Sequence, residues 1–255
     1  MILAFPYHDP SGKYNQVFLG QLETLRSLFE MICISVTSQT SKDNANFVQH
    51  LKEHGCSVFH NAPTTSFGDH SREALKLALE HTQASQSIFF GFIDRILFIL
   101  ETNWKTHFIH DLEIYKASNC MIFERSQTAW TSHPSNYRGI EQMASRMFEL
   151  ICGKFIELSP GAFILSYLTA KKILSQSTTM SYAVWGEWVL LAMKNNIPIT
   201  TQKVDWLTWE DPYWEHVEPE KLKQSRELSQ KETIKRIRWN VTVMEMITEE
   251  RFRGL

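Results

Sequence analysis

An α/β fold with a largely parallel, doubly wound sheet is predicted by three features of the chain. Residues 87–93 are uncharged and run directly into Asp94-Arg95, which reads as a strand buried on both faces, as in the middle of a parallel sheet. Strand-like and helix-like segments alternate through the first hundred residues with short connections, the pattern of right-handed crossovers. The length of 255 residues and a hydrophobic content of 43% allow one large core, so a single domain in two halves is expected.

The elements follow in order. Residues 2–6 form a first strand that ends in the turn Tyr7-His8-Asp9-Pro10-Ser11-Gly12. Val17, Leu22, Leu25, Leu28 and Phe29 then recur at helical spacing. Residues 32–37 give a second strand. A helix over 41–53 carries Phe47, Val48 and Leu51 on one face, with Ser41 as its N-cap. Gly55 closes that helix, and 56–60 form a third strand. A loop through Pro63 and Gly68 leads to a helix over 71–81 and then to the apolar strand over 88–94.

Beyond Asp94 the alternation loosens. Residues 95–117 read as helical and aromatic, 120–124 as a strand, and 126–137 as a polar turn region. Residues 137–152 are amphipathic and end at Gly153. A Pro160-Gly161 turn separates two apolar pieces over 155–166, and a helix continues to Leu174. Another helix over 182–195 stops at Asn195-Asn196 and Pro198, and 199–209 is strand-like. These segments divide the chain into 1–217, with halves 1–125 and 126–217, and a charged helical extension over 218–255 packed on the domain. In the extension, Ile234, Ile237, Val241, Met244 and Ile247 recur at helical spacing. Packing onto the chain's own domain accounts for them, and a homodimer through this helix is the alternative.

Composition excludes several classes of function. A formal charge of -2 argues against a nucleic-acid binder that works by neutralising phosphates. No apolar stretch approaches the roughly 18 residues of a membrane span. The amino terminus lacks a basic region before its apolar run, so no signal peptide is expected and the setting is cytoplasmic. Cys33, Cys56, Cys120 and Cys152 are far apart and read as small hydrophobes in a reducing compartment. His107 and His110 lack the spacing of a zinc site. There is no nucleophile elbow, dinucleotide fingerprint or phosphate loop.

Open α/β sheets bind ligands beyond the carboxyl ends of their strands, which puts Asp94 where such a fold keeps its chemistry. Five pieces, in this order, resemble the A-type glycosyltransferase family, the nucleotide-diphospho-sugar transferase fold. They are Pro6-Tyr7-His8-Asp9-Pro10 with Gly12, then Ile93-Asp94-Arg95-Ile96-Leu97, and then His133-Pro134 followed by Tyr137-Arg138-Gly139-Ile140-Glu141. The last two are Gly153 with the stretch Glu157-Leu158-Ser159-Pro160-Gly161-Ala162, and Gly186-Glu187-Trp188 ahead of Trp209-Glu210-Asp211. The resemblance covers residues 1 to about 215. It implies a hexosyltransferase-like enzyme: a nucleotide sugar over the amino-terminal strands, and an acceptor of unknown identity gripped by the second half. A catalytically degenerate relative of the same fold, binding a nucleotide or a partner protein, is the alternative.

The resemblance also assigns roles. A carboxylate pair ending at Asp94 would hold Mn²⁺ or Mg²⁺ against the donor diphosphate. Here the flanking positions are Phe92 and Ile96, so Asp94 stands alone and a metal is held less firmly. Asp94 equally suits an ion pair with Arg95 or a helix cap. Tyr7 can stack on a base with His8 beside it, and Asp9 can accept ribose hydroxyls, although Asp9-Pro10 also suits an Asx turn. His133, Arg138 and Glu141 form a polar group in which Arg138 can meet phosphate. Gly161 lets a sugar approach the backbone. Glu187, between Trp185 and Trp188, is the candidate general base, its pKa raised by partial burial. Glu210 and Asp211, near Trp206, Trp209 and Trp214, suit a sugar ring.

Overall fold

A computed structural model describes residues 1–158, 161–209 and 218–254. The amino-terminal half runs β1 (Ile2–Tyr7), α1 (Asn15–Leu28), β2 (Met31–Val36), α2 (Ser38–Asp43), α3 (Ala45–Glu53), β3 (Ser57–His60), α4 (Phe67–His81) and β4 (Ser87–Phe90). Then come α5 (Ile93–Leu100), α6 (Lys105–Tyr115), β5 (Cys120–Arg125), α7 (Gln127–Ser132) and α8 (Ser135–Cys152). The remainder is β6 (Phe163–Ser166), α9 (Tyr167–Leu174), α10 (Val184–Lys194), β7 (Ile199–Val204), α11 (Pro219–Leu228), α12 (Gln230–Ile247) and a 3-10 turn, Glu250–Phe252.

The strands form one sheet in the order β3-β2-β1-β4-β6-β5-β7. Pairing is parallel except where β6 runs against β4 and β5. The expected α/β class with a largely parallel sheet is therefore what the chain adopts. Alternation along β1 distributes its side chains to two layers. Leu3, Phe5 and Tyr7 join Phe18, Leu22, Leu25 and Phe47 on one face, while Ile2 and Ala4 join Ala74, Leu75, Phe148 and Trp188 on the other. Helices thus cover both faces, and the sheet is doubly wound.

From β1 the chain first builds outward to β2 and β3, then returns to place β4 on the opposite side of β1. That reversal between β1 and β4 is the switch point at which open sheets part their connecting loops. The ends of β1, β4 and β5 all open toward the same edge.

Several boundaries differ from the sequence reading. The apolar run after Ser87 is two elements: β4 stops at Phe90 and α5 starts at Ile93. Asp94 therefore sits in the first turn of a helix, where a carboxylate complements the helix dipole, not at the end of a strand. The helix expected over 41–53 is split at Asn44 into α2 and α3, and the cap is Thr37, whose hydroxyl accepts from the Thr40 amide; Ser41 lies inside α2. α4 begins at Phe67, capped by Ser66. The polar stretch over 126–137 contains α7, capped by Ser126. The carboxyl-terminal extension is two helices broken at Ser229. Of the five apolar residues at helical spacing, Ile247 is buried and Met244 packs against the core, whereas Ile234, Ile237 and Val241 are exposed. Among the described residues no helix is long and apolar enough to cross a membrane.

Candidate functional site

A cleft of about 710 Å³ lies at the switch point, within the size range of small-molecule sites. One wall is the strand-end side: Tyr7 at the end of β1 and His8 after it, Thr37 after β2, and Phe92 to Arg95 at the start of α5. The other wall comes from α7 and α8 (His133, Tyr137, Glu141), from Tyr182, and from α11 and α12. Arg125, at the end of β5, joins the two walls.

The β1 end is held by its own hydrogen bonds. Asp9 is buried, and its carboxylate accepts from the amides of Lys13 at 3.0 Å and Tyr14 at 2.8 Å, from Ser11, and from the Tyr7 hydroxyl at 3.2 Å. Both oxygens are thus spent on the turn, and the ribose role expected for Asp9 gives way to loop closure. Tyr7 borders the cleft, but its ring packs edge-on to Phe18 with centroids 6.1 Å apart and belongs to the core. It is not placed to stack on a base. Burial, then the Asp9 charge, pushes its hydroxyl far above the ordinary tyrosine range. His8 is exposed at the cleft, its Nδ1 3.0 Å from the Thr37 hydroxyl.

Asp94 does face the cleft. Its nearest cation is Arg95, at 3.8 Å. Arg95 also donates to the carbonyls of Thr208 and Trp209, both at 3.3 Å, which anchors the segment after β7 to α5. Glu141 and Glu232, the other two carboxylates on the cleft among the described residues, are bound more closely. Glu141 meets Arg125 at 2.6 Å and Arg236 at 3.1 Å. Glu232 meets Arg226 at 3.1 Å and accepts from the Tyr137 hydroxyl at 3.0 Å. Of the three, Asp94 is the least encumbered.

Arg125 organises the floor. It is buried between Glu141 and Glu157, and its guanidinium lies 4.4 Å from the Trp130 ring centroid. Burial works against its charge, but Glu157 and Glu141 more than restore it, so its pKa lies above the ordinary arginine value. His133, beside it, donates from Nδ1 to the Ala129 carbonyl at 2.8 Å, which leaves Nε2 as an acceptor. Burial first, then the Arg125 charge, holds its pKa well below 6.5, so the ring is neutral at pH 7.

Much of the far wall had not been expected. Arg236 lies 4.1 Å from the Tyr137 ring centroid and 4.9 Å from that of Trp239. Trp239 stacks on Tyr182 at 4.7 Å and 13°. The local signal was Lys235-Arg236 followed by Trp239, cations and an aromatic on adjacent turns of one helix face. His70 also borders the cleft, with a buried Nδ1 that has no hydrogen-bond partner among the described residues. Burial, then the His8 charge, lowers its pKa.

Other expected residues are not brought to the cleft. Glu187 is fully buried on α10. Its carboxylate accepts from the Ser177 hydroxyl and from the amides of Thr178 at 2.8 Å and Thr179 at 3.0 Å, and pairs with Arg251 at 2.7 Å. Burial raises its pKa, but those donors outweigh burial and hold it below the usual carboxylate value. This is the reverse of what a general base requires, and the flanking Trp185 and Trp188 belong to the core. Arg138 lies a turn into α8 and does not line the cleft. Gly161, at φ +58°, is packed under Phe92 and Trp185: a Cβ there would meet their rings at 3.0 and 3.1 Å. Its backbone approaches aromatics of the core, not a ligand. Glu210, Asp211, Trp214, Ser159 and Pro160 lie outside the described residues.

The described residues do not fit a divalent ion. Asp94 has no second carboxylate at Phe92 or Ile96, and no group of three His, Cys, Asp or Glu side chains is gathered to share a metal. A hard cation here would have one protein carboxylate and would need waters and substrate phosphates for its other oxygen ligands, so it would be held less firmly. The thiols offer nothing either: burial pushes Cys33 and Cys120 up to about 12.

No family model and no curated protein matches the chain. Among solved structures it is similar to the crystal structure of M. tuberculosis glucosyl-3-phosphoglycerate synthase, with a TM-score of 0.46 and 10% identity over 80% of this chain and 71% of that one. A likeness of that depth bears on neither the substrate nor the site residues of this chain.

Proposed function

We propose that this chain binds a nucleotide-activated sugar in the switch-point cleft and transfers the sugar to an acceptor hydroxyl. The observation that supports this most is the lining of that cleft. Among the described residues one lightly paired carboxylate, Asp94, shares the cleft with guanidinium groups and aromatic rings, which suits a polar sugar carrying an anionic leaving group.

In such a transfer the bond from the anomeric carbon to the donor phosphate breaks, and its electron pair leaves with the diphosphate. A bond forms from the acceptor oxygen to that carbon, and the acceptor proton moves to a base. Asp94 takes the role of base, because Glu141 and Glu232 are held in ion pairs and Glu187 is sealed in the core. Asp94 accepts the acceptor proton while the cations of the far wall receive the leaving anion.

Thermal denaturation with UDP-, GDP-, ADP- and CMP-sugars tests the binding. A ligand at a hundred times its Kd stabilises by about 2.7 kcal/mol, or about 5–11 °C for a chain of this size. No shift with any of them removes the donor reading. A shift without turnover of donor, with or without acceptors, favours the second reading, a binding protein of the same fold.

A further inference from the structure

The resemblance to sugar transferases implies a divalent ion beneath the donor diphosphate, yet among the described residues no group of three carboxylates or other metal-ligating side chains is gathered in the cleft. What the cleft does gather, on the wall built by α11 and α12, is cations. Glu232 serves both Arg226 at 3.1 Å and Lys235 at 4.0 Å, and Glu141 serves both Arg125 and Arg236. The Lys235 ammonium is thus at the outer limit of an ion pair, held over the Trp239 ring at 4.6 Å and half-exposed to the cleft. The Arg236 Nε is buried and has no hydrogen-bond partner among the described residues.

We infer that the diphosphate of the donor is neutralised by Lys235 and Arg236 of the carboxyl-terminal helices, in place of a metal ion. This rests on the donor reading given above. Arginine offers phosphate a planar fork of donors, and lysine offers a point charge. Lys235 shares this wall with Arg236 and Arg226, and Glu232 and Glu141 offset only part of their charge. Burial first, and then Arg236, Arg226 and Lys231, lower the pKa of Lys235 against the pull of Glu232, and an anion between these groups relieves that repulsion. Both cations lie over the Trp239 ring and Arg236 also over Tyr137, while Tyr182 stacks on Trp239.

The test is titration calorimetry of the full chain with UDP, GDP, ADP and CDP and with the matching nucleosides, in excess EDTA and again with Mn²⁺ or Mg²⁺. One nucleoside diphosphate is expected to bind in EDTA, with an affinity changed less than about threefold by metal, and its nucleoside to bind about tenfold or more weakly. Lys235→Glu is expected to weaken the diphosphate about tenfold or more without altering nucleoside affinity, and Lys235→Arg to retain it. Both substitutions fall on a half-exposed helix position, and circular dichroism confirms that each variant is folded. Binding that appears only with metal, or an unaffected Lys235→Glu variant, overturns this inference and leaves the donor reading standing. No binding of any diphosphate or nucleotide sugar, with or without metal, overturns both.

Discussion

Arg251 lies 2.7 Å from the carboxylate of Glu187, joining the last turn of the described chain to a side chain that has no exposed surface. Arg251 also donates to the hydroxyls of Thr178 at 2.9 Å and Thr179 at 3.1 Å. The segment it pins leads directly into Ser181 and Tyr182, which border the cleft. Arg251→Ala leaves Glu187 its Ser177 hydroxyl and two amides, so the expected loss is about 2 kcal/mol, seen as a lower urea midpoint with an unchanged slope. An unchanged midpoint would mean that the pair is incidental.

The same pair fixes a pH dependence. Because the folded pKa of Glu187 lies below its ordinary 4.5, the stability it contributes is present above that value and is lost as pH falls through the folded pKa. Glu187→Gln removes this contribution, so the acid limb of stability against pH becomes shallower below about pH 5. If the two curves are parallel in acid, Glu187 is not the titrating group.

Gly68 closes against the same segment from α4. Its amide donates to the Met180 carbonyl at 2.9 Å, and an added Cβ would lie 1.9 Å from the Thr179 carbonyl oxygen. Backbone cannot yield as a flexible side chain does, so Gly68→Ala is expected to cost about 3 kcal/mol. Gly20, inside α1 with nothing within 4 Å of its added Cβ, is the matched control. There the same change is expected to stabilise by about 1 kcal/mol through helix propensity. Equal effects at the two positions would contradict the packing described.

Arg125 neutralises two buried carboxylates at once. Arg125→Ala strands Glu157, leaves Glu141 with Arg236 as its cation, and is expected to cost about 3–5 kcal/mol. Arg125→Lys recovers little, because one ammonium cannot span both partners as the guanidinium fork does. Thermal denaturation of the two variants checks this, and a stable alanine variant would show that the cluster is solvated in solution.

Much of the scaffold could be read from residue patterns, and the reason is periodicity. α1 and α8 each carry one clear helical period, and β1 and β2 are apolar runs too short for a helix and bounded by turn or helix-start residues. Where the pattern was uniform, reading failed. Ile88 through Leu100 is almost wholly apolar, and a buried strand and a buried helix share that composition, so the boundary at Gly91-Phe92 was invisible and Asp94 was put on the wrong element. The site was harder still. Asp94, Arg95, His8 and His133 were found as polar residues at element ends. Arg125 meets Glu157 32 residues away, and Arg236 meets Glu141 95 residues away. Such pairs leave no local trace. Glu187 misled because flanking tryptophans mark a core as readily as a sugar platform.

Asp94 carries the proposed chemistry, so its removal must separate turnover from folding. Asp94→Asn keeps the shape and forfeits one favourable charge in the first turn of α5, about 0.5 kcal/mol. If Asp94 is the base, donor turnover falls by about a hundredfold or more while Tm barely moves. Full activity in the variant would assign the base elsewhere.

The most direct measurement is a crystal structure of the chain soaked with the nucleotide sugar that gives the largest thermal shift. The account predicts density between the β1 and β4 ends and α12, with the sugar beside Asp94 and the diphosphate against Lys235 and Arg236. An empty cleft at saturating ligand, or the nucleotide bound on another face, would contradict it.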